Sequence, residues 1–483
     1  MAKRSPSPKP IVSDNTVLAE VSRSATHQAS RGPGWLFVET AGGVHSPGPS
    51  GSTQADLYRP LRLPVVLVGD SKLGGISQTI SAFESLKLRG YDIEAVLLFR
   101  EAEFQNHQYL TEYFKKQYDI PVMTFLEPPK RIHDDTDADV AAMSRYYEDS
   151  GGSDNNLREI LKHLDSRHNA RISRLESMSN KASRTIWYPF TQQKHLTPDK
   201  ITTIDSAHGD WFQTLNPPRP ITTTTTTTTA TTGPPTTPIT PAPPSTTNPP
   251  PQLLQPSFDG SASWWTQGLG HANPALALTA AYAAGRYGHV MFAEAVHEPA
   301  LALAEALLEG MGNPRLARAF FSDNGSTGVE VAVKMALRAV RAKNGLKGGE
   351  GGGRLGVLGL RGSYHGDTIG AMDCSEPCVF NEKVEWYEGR GFWFKYPVVE
   401  FSDGSWRVRY PEEVRALAGG RSGVAYASLS DVFDVEAREP REEGRFYEQV
   451  ILATLKKLAA QGQRFGALMI EPVVLGAGGM LLV

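Results

Sequence analysis

The sequence predicts an α/β protein in which helices cover mostly parallel sheets. Short apolar runs alternate with helical patterns between residues 34 and 127, and a similar alternation returns after residue 299. Such alternation is typical of βαβ units, whose strands pair in parallel. With 483 residues, the chain is long enough for two or three domains with sizeable cores.

The composition argues against several classes of partner. Lys and Arg number 49 against 52 Asp and Glu, which gives a net charge of −3. This balance gives no reason to expect nucleic acid or a membrane surface as partner. No apolar run approaches the length of a membrane span, and the N-terminus lacks an apolar signal core. The only cysteines, Cys374 and Cys378, are predicted to be free thiols of a soluble intracellular protein.

A first domain is predicted over residues 34–150, after a Ser/Pro-rich segment, 1–33, that is predicted to be disordered. Its predicted strands are WLFVE (35–39), PVVLVGD (64–70), IEAVLLF (93–99) and IPVMTFL (120–126). Helical spacing between them, in ISQTISAFESLKLRG (76–90) and near 104–117, completes a βαβαβ series. The charged segment 151–185 is predicted to be a helical linker.

A second domain is predicted over residues 186–483. Its predicted strands are ARAFFS (317–322), RLGVLGL (354–360) and FGALMIEPVV (465–474), and residues 299–310 form a predicted helix. Within it, residues 217–253 are a Thr/Pro tract that cannot bury a core and is predicted to be a disordered insertion. The tract separates two stretches that otherwise form one small β-rich unit. A mucin-like stalk is the alternative interpretation.

The stretch SDNGSTGVEVAVKMALRAV (322–340) joins a polar turn to an amphipathic helix. Gly325 permits a tight turn, and Thr327 and Glu330 have the spacing of a capping box. The N–H groups at the start of the helix and the hydroxyls of Ser326 and Thr327 suit a phosphate group. The alternative is a capped helix that holds no ligand.

Aromatic residues mark two further positions. Tyr364, in RGSYHGDTIGAM (361–372), follows a predicted strand at the sheet edge where ligands bind, and it could stack on a flat ring or belong to the core. Trp264 and Trp265 are adjacent, and successive strand side chains point to opposite faces, so at least one is predicted to wall a cavity. Glu471 ends a buried strand at the same sheet edge as Tyr364.

These motifs together resemble the class III pyridoxal-phosphate aminotransferases, and more narrowly the diaminopelargonate synthase branch. The blocks that carry the resemblance are SDNGSTGVEVAVKMA, YHGDT, WWTQGLGHANP, GRYGHVMFAEAVHEPAL and IEPVVLGAGGM. Their order is specific, and the resemblance covers residues 187–483 apart from the insertion. It implies a fold-type I aminotransferase domain, present here in part.

The resemblance implies roles for individual residues. Gly325, Ser326 and Thr327 match the loop that binds the cofactor phosphate. Tyr364 matches the aromatic residue that stacks over the pyridine ring and lines the substrate site. Trp264 and Trp265 match the wall along which the oxononanoate chain lies. Phe190 stands where bacterial relatives carry a substrate-recognising tyrosine, so one hydroxyl contact is lost.

The first domain resembles the second half, the C-terminal part, of a dethiobiotin synthetase, a P-loop-type ATP-dependent carboxylase with a parallel sheet. ETAGGVHSPGPSG (39–51) and the segment 64–93 carry this resemblance. It implies that Glu39 is a magnesium ligand, and that Thr40, Ala41, Gly42 and Gly43 form a turn against ATP and substrate. Eukaryotes fuse these two consecutive biotin enzymes, which strengthens both resemblances.

The two resemblances imply a function in biotin biosynthesis. The expected reactions are transamination of 8-amino-7-oxononanoate, with S-adenosylmethionine as amino donor, and ATP-dependent dethiobiotin synthesis. Pyridoxal 5'-phosphate, ATP and Mg²⁺ are the implied cofactors. A homodimer is expected, with His289, Met291 and Phe292 near its interface or the cofactor. The family expectation for location is the mitochondrion, with the cytoplasm as the alternative.

Several expected residues do not occur in this sequence. It contains no GxxxxGK[ST] motif, and the family places its Schiff-base lysine after the GAGGM loop, whereas the sequence ends at Val483. Lys334 is not assigned that role, so no catalytic residue is assigned. The chain is therefore expected to be truncated at both ends and not to catalyse transamination as written. The alternatives are another class III ω-amino-acid aminotransferase and a non-catalytic binding or dimerisation module.

Overall fold

A computed structural model describes residues 11–152, 156–189, 191–215, 253–290, 293–347, 353–477 and 480–481. The chain divides into two units, Met1–Ala295 and Val296–Val483. Both contain helices and parallel strands, so the predicted α/β class is confirmed. Within the described ranges, no helix is both long enough and apolar enough to cross a membrane.

The first unit begins with helices and a parallel sheet and continues into an antiparallel one. Its elements are α1 (Asp14–Ala29), α2 (Gln54–Leu57), β1 (Val65–Val68), α3 (Gly75–Leu88), β2 (Ile93–Arg100), α4 (Asn106–Tyr118), β3 (Val122–Leu126), α5 (Thr136–Gly152), α6 (Asn156–Thr185), β4 (Thr203–His208), β5 (Trp211–Leu215), β6 (Leu254–Phe258), the single turn α7 (Ala262–Trp265) and α8 (Pro274–Tyr287).

Strands β1, β2 and β3 pair in parallel in that order, which confirms the predicted βαβαβ series. Helices α3 and α4 bury Phe83 and Phe114 against the central strand, with 4.9 Å between the two ring centroids. On α6, Ile160 and Leu164 pack with Ala95 of β2 in a separate cluster. The segment predicted to be a linker, 151–185, therefore also contributes a helix that covers the sheet.

The N-terminal segment corrects one prediction. Residues 1–33 were predicted to be disordered, whereas Asp14–Ala29 forms helix α1. The hydroxyl of Ser13 accepts a hydrogen bond from the N–H of Thr16 and caps the helix. The carboxylate of Asp14 accepts one from the hydroxyl of Ser52 at 2.6 Å, which ties the helix to a later loop. Residues 1–10 lie outside the described ranges.

The segment WLFVE (35–39) was predicted to be a strand, and this is wrong. No strand pairs with it among the described residues, and the rings of Trp35 and Phe37 stack on each other, 6.2 Å apart, while remaining 46% and 64% exposed. An apolar run without a neighbouring strand has no partner for its backbone groups and does not form a ladder.

The stretches on either side of the Thr/Pro insertion pair with each other. Strands β4, β5 and β6 form an antiparallel sheet, in which Leu215 pairs with Leu254. The prediction of one β-rich unit interrupted by an insertion is confirmed to that extent. The prediction that residues 217–253 are disordered concerns residues outside the described ranges, apart from Leu253.

The second unit combines a parallel and an antiparallel sheet with helices. Its elements are α9 (Glu298–Met311), α10 (Gly325–Lys343), β7 (Leu355–Leu360), α11 (Ile369–Met372), β8 (Gly391–Phe394), β9 (Val398–Ser402), β10 (Ser405–Arg409), α12 (Glu412–Leu417), β11 (Gly423–Tyr426), α13 (Leu429–Phe433), α14 (Val435–Arg438), α15 (Glu442–Ala460), β12 (Arg464–Leu468), β13 (Val474–Leu475) and β14 (Met480–Leu481).

The parallel sheet of this unit has the order β12-β7-β8. Helix α10 packs on it through Val333, which is clustered with Val357 of β7 and with Cys374. The segment ARAFFS (317–322), predicted to be a strand, has no regular structure, and Phe320 is 66% exposed because no described strand lies beside it. Strand β12 is shorter than predicted, since the chain leaves the sheet after Leu468.

Candidate functional site

The first turn of α10 is held by Asn324. Its side-chain oxygen accepts a hydrogen bond from the N–H of Thr327 at 3.0 Å, so the predicted capping box of Thr327 and Glu330 is wrong. Asparagine is among the most favoured residues at this position because its side-chain oxygen can accept from the N–H groups of the first turn. The N–H groups of Gly325 and Ser326 make no hydrogen bond within the described part of the chain.

Glu330 has a different task. Its carboxylate accepts a hydrogen bond from the N–H of Gly370 at 3.0 Å and forms an ion pair with Lys334 at 2.8 Å. The Lys334 contact is the largest cause that lowers the pKa of Glu330. Lys334 is thus occupied on the outer face of α10, with a side chain 69% exposed, which agrees with its exclusion as a cofactor-binding amine.

The loop after β7 lies directly against Ser326. The N–H of Asp367 donates to the Ser326 hydroxyl at 3.0 Å, and the Thr368 hydroxyl donates to the Ser326 carbonyl at 3.4 Å. Gly366 has a φ of +131°, and a Cβ at this position would lie 2.4 Å from the Ser326 hydroxyl. Only glycine lets the two segments approach this closely.

Tyr364 is fixed at both its backbone and its hydroxyl. Its N–H donates to one oxygen of Glu471 at 2.8 Å, and its hydroxyl donates to the carboxylate of Asp367 at 2.8 Å. The second Glu471 oxygen accepts from the N–H of Gly476 at 2.6 Å. Burial, followed by the Asp367 hydrogen bond, raises the pKa of Tyr364 to about 12, so the hydroxyl remains a donor near neutral pH.

Two polar atoms in this loop are buried without a partner among the described residues. They are the hydroxyl of Ser363 and Nε2 of His365, whose residue is 8% exposed. Burial lowers the pKa of His365, and the negative charge of Glu471 raises it by less. The pKa is therefore lowered overall, which favours the neutral ring. Buried polar atoms are normally paired, so these two atoms, in the loop that contacts Ser326, are exceptions that a polar ligand could satisfy.

The structure therefore brings Ser326, Tyr364 and Glu471 together at one edge of the parallel sheet of the second unit. The other predicted site residues belong to the first unit or lie outside the described residues. Trp264 and Trp265 belong to the first unit and are 71% and 67% exposed. Phe190, Met291 and Phe292 lie outside the described residues, and His289 follows α8 in the first unit. The roles assigned to these residues remain predictions.

The predicted nucleotide turn forms a compact loop on the first unit. The hydroxyl of Thr40 donates to the carbonyl oxygen of Gly42 at 3.2 Å. The N–H of Ser46 donates to the carbonyl oxygen of Gly43 at 2.9 Å. Gly42 has a φ of +97°, which favours glycine. Glu39 and Ala41 are exposed. No group of three or more metal-ligating side chains occurs in the described ranges, so Glu39 would need ligand oxygens from elsewhere.

Sequence reasoning missed the structural roles of Asn324 and Asp367. Asn324 precedes the glycine turn, and asparagine is among the most favoured N-cap residues, so the signal was present. Asp367 lies three residues after Tyr364, but its contact with Ser326 spans 41 residues and depends on the packing of α10 against β7. No local pattern reports such a contact.

Two family models match separate stretches of the chain. Residues 10–135 match the family model of an AAA domain, and residues 256–423 match that of the class-III aminotransferases. The chain is therefore similar to an AAA domain over the first of these stretches and to class-III aminotransferases over the second. Ser326 and Tyr364 of the candidate site both lie within the stretch that matches the aminotransferases.

Individual relatives extend the match to nearly the whole chain. It is 49% identical over 473 residues to the bifunctional dethiobiotin synthetase/adenosylmethionine-8-amino-7-oxononanoate aminotransferase of Emericella nidulans, covering 97% of this chain and 56% of that protein. It is 37% identical to the mitochondrial bifunctional dethiobiotin synthetase/7,8-diamino-pelargonic acid aminotransferase of Oryza sativa subsp. japonica, with coverages of 98% and 53%. The chain is thus a relative of these bifunctional proteins and spans about half their length.

Solved structures add little to these matches. An amine transaminase from an uncultivated Pseudomonas species, in a PLP-bound form, is similar with a TM-score of 0.40 and 21% identity, covering 62% of this chain and 50% of that chain. This TM-score is too low to support a conclusion about the fold.

Proposed function

We propose that this chain acts in biotin biosynthesis. Its C-terminal part would serve the transamination of 8-amino-7-oxononanoate to 7,8-diaminononanoate, and its N-terminal part would serve ATP-dependent dethiobiotin synthesis. The observation that carries the proposal is the contact between Ser326, at the start of α10, and the Tyr364 loop, at the end of β7. It occurs in a chain 49% identical to a bifunctional protein named for both reactions.

The residues around Ser326 fit pyridoxal 5'-phosphate. The N–H groups of Gly325 and Ser326, with the hydroxyls of Ser326 and Thr327, would hold the phosphate at the positive end of a 19-residue helix. The ring of Tyr364, oriented by Asp367 and Glu471, offers a flat apolar face for the cofactor ring. When bound, the cofactor supplies an electron sink for reactions at the substrate amine.

The unpaired buried atoms support this fit. The hydroxyl of Ser363 and Nε2 of His365 lie in the same loop as Tyr364 and have no partner among the described residues. A ligand with several hydrogen-bonding oxygens would satisfy them and remove the cost of leaving them unpaired. An apolar ligand would not. The chemistry of these atoms therefore favours a phosphorylated, hydroxyl-bearing ring over a simple hydrophobic molecule.

The substrates, the oligomeric state and the location of the protein are proposed from the same relatives. We assign the exposed indoles of Trp264 and Trp265, with Phe190, to the apolar chain of 8-amino-7-oxononanoate, and S-adenosylmethionine to the amino donor. A homodimer in the mitochondrion is proposed because class III enzymes pair and the plant relatives are named mitochondrial. Sedimentation equilibrium of the purified protein tests the dimer, and cell fractionation tests the location against the cytoplasm.

The N-terminal part would bind ATP and Mg²⁺. The match of residues 10–135 to an AAA domain and the compact turn at Thr40–Gly43 support a nucleotide site. Mg²⁺ is commonly held by one or two carboxylates together with nucleotide phosphates, so a single exposed Glu39 is sufficient as the protein's ligand in this part. Glu39→Ala should therefore weaken nucleotide binding only when Mg²⁺ is present.

The cofactor assignment is tested by binding. The purified chain should bind pyridoxal 5'-phosphate more tightly than pyridoxal, which lacks the phosphate, by fluorescence titration. Ser326→Ala should weaken binding of the phosphorylated form about tenfold, the typical value of a hydrogen bond to a charged group. Ser177→Ala, which removes an exposed hydroxyl on α6, is the matched control. Equal affinity for the two compounds would contradict the phosphate site.

The pathway assignment is tested in the source organism. Disruption of the gene should create a requirement for biotin that dethiobiotin satisfies, whereas 8-amino-7-oxononanoate and 7,8-diaminononanoate do not. A disruptant that grows without biotin would contradict the proposal and favour either another class III ω-amino-acid aminotransferase or a non-catalytic binding module. Profiling of accumulated ω-amino acids then separates these two.

A further inference from the structure

The backbone that carries the two adjacent tryptophans has an unusual conformation. Four consecutive residues without glycine, Ala262 to Trp265, have φ values of 45°, 47°, 57° and 67°. Residues with L-chirality rarely occupy this left-handed region, and a run of four of them needs support from the surrounding structure. The single turn α7 is therefore a strained segment, and the residues that hold it can be identified.

Asp259 holds the start of this turn. One of its carboxylate oxygens accepts hydrogen bonds from the N–H of Ser261 at 3.3 Å and from the Ser261 hydroxyl at 2.9 Å. The other accepts from the N–H of Ser263 at 2.7 Å and from the Ser263 hydroxyl at 3.0 Å. The side chain of Asp259 is only 6% exposed. Few side chains other than a carboxylate could accept all of these bonds.

His271 anchors Asp259 to the antiparallel sheet. Its Nε2 donates to the second Asp259 oxygen at 2.8 Å, and its ring lies 4.8 Å from the ring of Phe212 on β5. Its backbone exchanges two hydrogen bonds with Gly209, at 2.7 and 3.0 Å, in the turn between β4 and β5. The tryptophan turn is therefore fixed to a hairpin through one carboxylate and one imidazole.

The indoles themselves are not buried by this arrangement. Trp264 and Trp265 remain 71% and 67% exposed, although the backbone beneath them is held by Asp259. A rigid backbone with exposed aromatic side chains reduces the entropy lost when a ligand binds. Such a surface suits a ligand with an apolar chain, because indoles cover methylene groups well.

We propose that Asp259 and His271 are positioning residues that present Trp264 and Trp265 as a preformed wall for an apolar-chain ligand. This inference rests on the proposed function, which supplies 8-amino-7-oxononanoate as the probe. Neither residue would contact the ligand. They act on it through the conformation of the turn, so their removal should change ligand affinity and the environment of the indoles without affecting the cofactor.

Fluorine NMR reports the indoles independently of any ligand. The full chain is labelled with 5-fluorotryptophan, and Trp264→Phe and Trp265→Phe assign the two resonances. Asp259→Asn and His271→Ala should shift and broaden both of them, while His271→Gln, which retains an N–H donor, should restore them in part. Asp210→Asn is the matched control, because Asp259 contacts only its backbone carbonyl. Resonances that do not respond to Asp259→Asn overturn the proposal.

Ligand binding then separates positioning from general folding. Asp259→Asn and His271→Ala should weaken binding of 8-amino-7-oxononanoate about tenfold by calorimetry, and leave pyridoxal 5'-phosphate affinity unchanged. An equal loss of both affinities would make the pair a general support of the fold and would refute the proposal. If the native chain does not bind the probe but its resonances respond to the variants, the substrate assignment fails while the positioning role stands.

Discussion

The side chain of Ser326 connects the first turn of α10 to the loop that follows β7. Its hydroxyl accepts a hydrogen bond from the N–H of Asp367, and the carboxylate of Asp367 in turn accepts one from the hydroxyl of Tyr364. The predicted phosphate-binding and ring-stacking residues are thus linked through one aspartate. A small displacement of the loop would therefore change both predicted cofactor contacts together.

Replacement of Gly366 tests how close that approach is. In Gly366→Ala, the new Cβ would meet the Ser326 hydroxyl at 2.4 Å from a backbone φ of +131°. We expect a loss of about 1–3 kcal/mol in the free energy of unfolding, measured by urea denaturation. Gly345→Ala is the control, since its φ is +60° but its Cβ would meet nothing within 4 Å. Equal losses in the two variants would show that the contact with Ser326 is not limiting.

The pH dependence of stability should reveal Asp259. The hydrogen bond from His271, aided by those from Ser261 and Ser263, lowers the pKa of Asp259 to about 2. A folded-state pKa below the unfolded value of about 3.8 means that this group stabilises the protein fully above about pH 4. That contribution is lost as the pH falls toward 2.

The measurement compares the Tm of the native chain with that of Asp259→Asn at several pH values. The variant should melt at a lower temperature at pH 5 to 6, and the difference should shrink as the pH falls from 4 to 2. Comparison of the two proteins cancels the titration of the other carboxylates. A difference that stays constant over this range would show that the pKa of Asp259 is not lowered in the folded state.

At the scale of elements, the predicted helices and strands differed in how well local sequence described them. Strand β2 was predicted correctly because IEAVLLF is apolar, ends near turn residues and is buried between α4 and α6. WLFVE and ARAFFS have equally apolar patterns but no neighbouring strand among the described residues. Composition can identify a segment that could pair, but pairing also requires a partner, and the partner is set by the fold.

Helix α10 offers a direct test of which residue caps it. Asn324→Ala removes the oxygen that accepts from the N–H of Thr327 and should lower the free energy of unfolding by about 1 kcal/mol. Thr327→Ala should cost clearly less, since its hydroxyl does not cap the helix. Thermal unfolding of the two variants, followed by circular dichroism, gives the comparison. A larger loss for Thr327→Ala would support the capping box predicted from the sequence.

At the scale of the whole molecule, two stretches of one chain match the models of different families. Their order and the motifs ETAGG, YHGDT and WWTQGLG could be recognised in the sequence because each is a short block with fixed spacing. The hydrogen bonds that join Asp367 to Ser326 and His271 to Asp259 could not, because they depend on how separate parts of the chain fold together. Short motifs in the sequence thus indicated which families the chain resembles. They did not indicate the hydrogen bonds that hold the site residues in place.

The two proposed activities should be separable by single substitutions in the source organism. With Ser326→Ala, growth without biotin should be restored by 7,8-diaminononanoate, because only the aminotransferase step is impaired. With Glu39→Ala, 7,8-diaminononanoate should fail and dethiobiotin should succeed. Growth on defined supplements and immunoblots of both variants provide the measurement and its control. A Glu39→Ala strain rescued by 7,8-diaminononanoate would refute the role of Glu39.

Because Leu215 pairs with Leu254, the chain between these two residues can be lengthened or shortened without disturbing the sheet. Paired residues of antiparallel strands lie about 5 Å apart, so the ends of the intervening sequence leave the sheet side by side. A graft at such a hairpin end leaves the register of β5 and β6 intact, and its entropic cost rises only slowly with length. Exchange of residues 216–253 for a two-residue Asn-Gly turn is thus a conservative edit, and an affinity tag or a fluorescent reporter can be inserted at this junction.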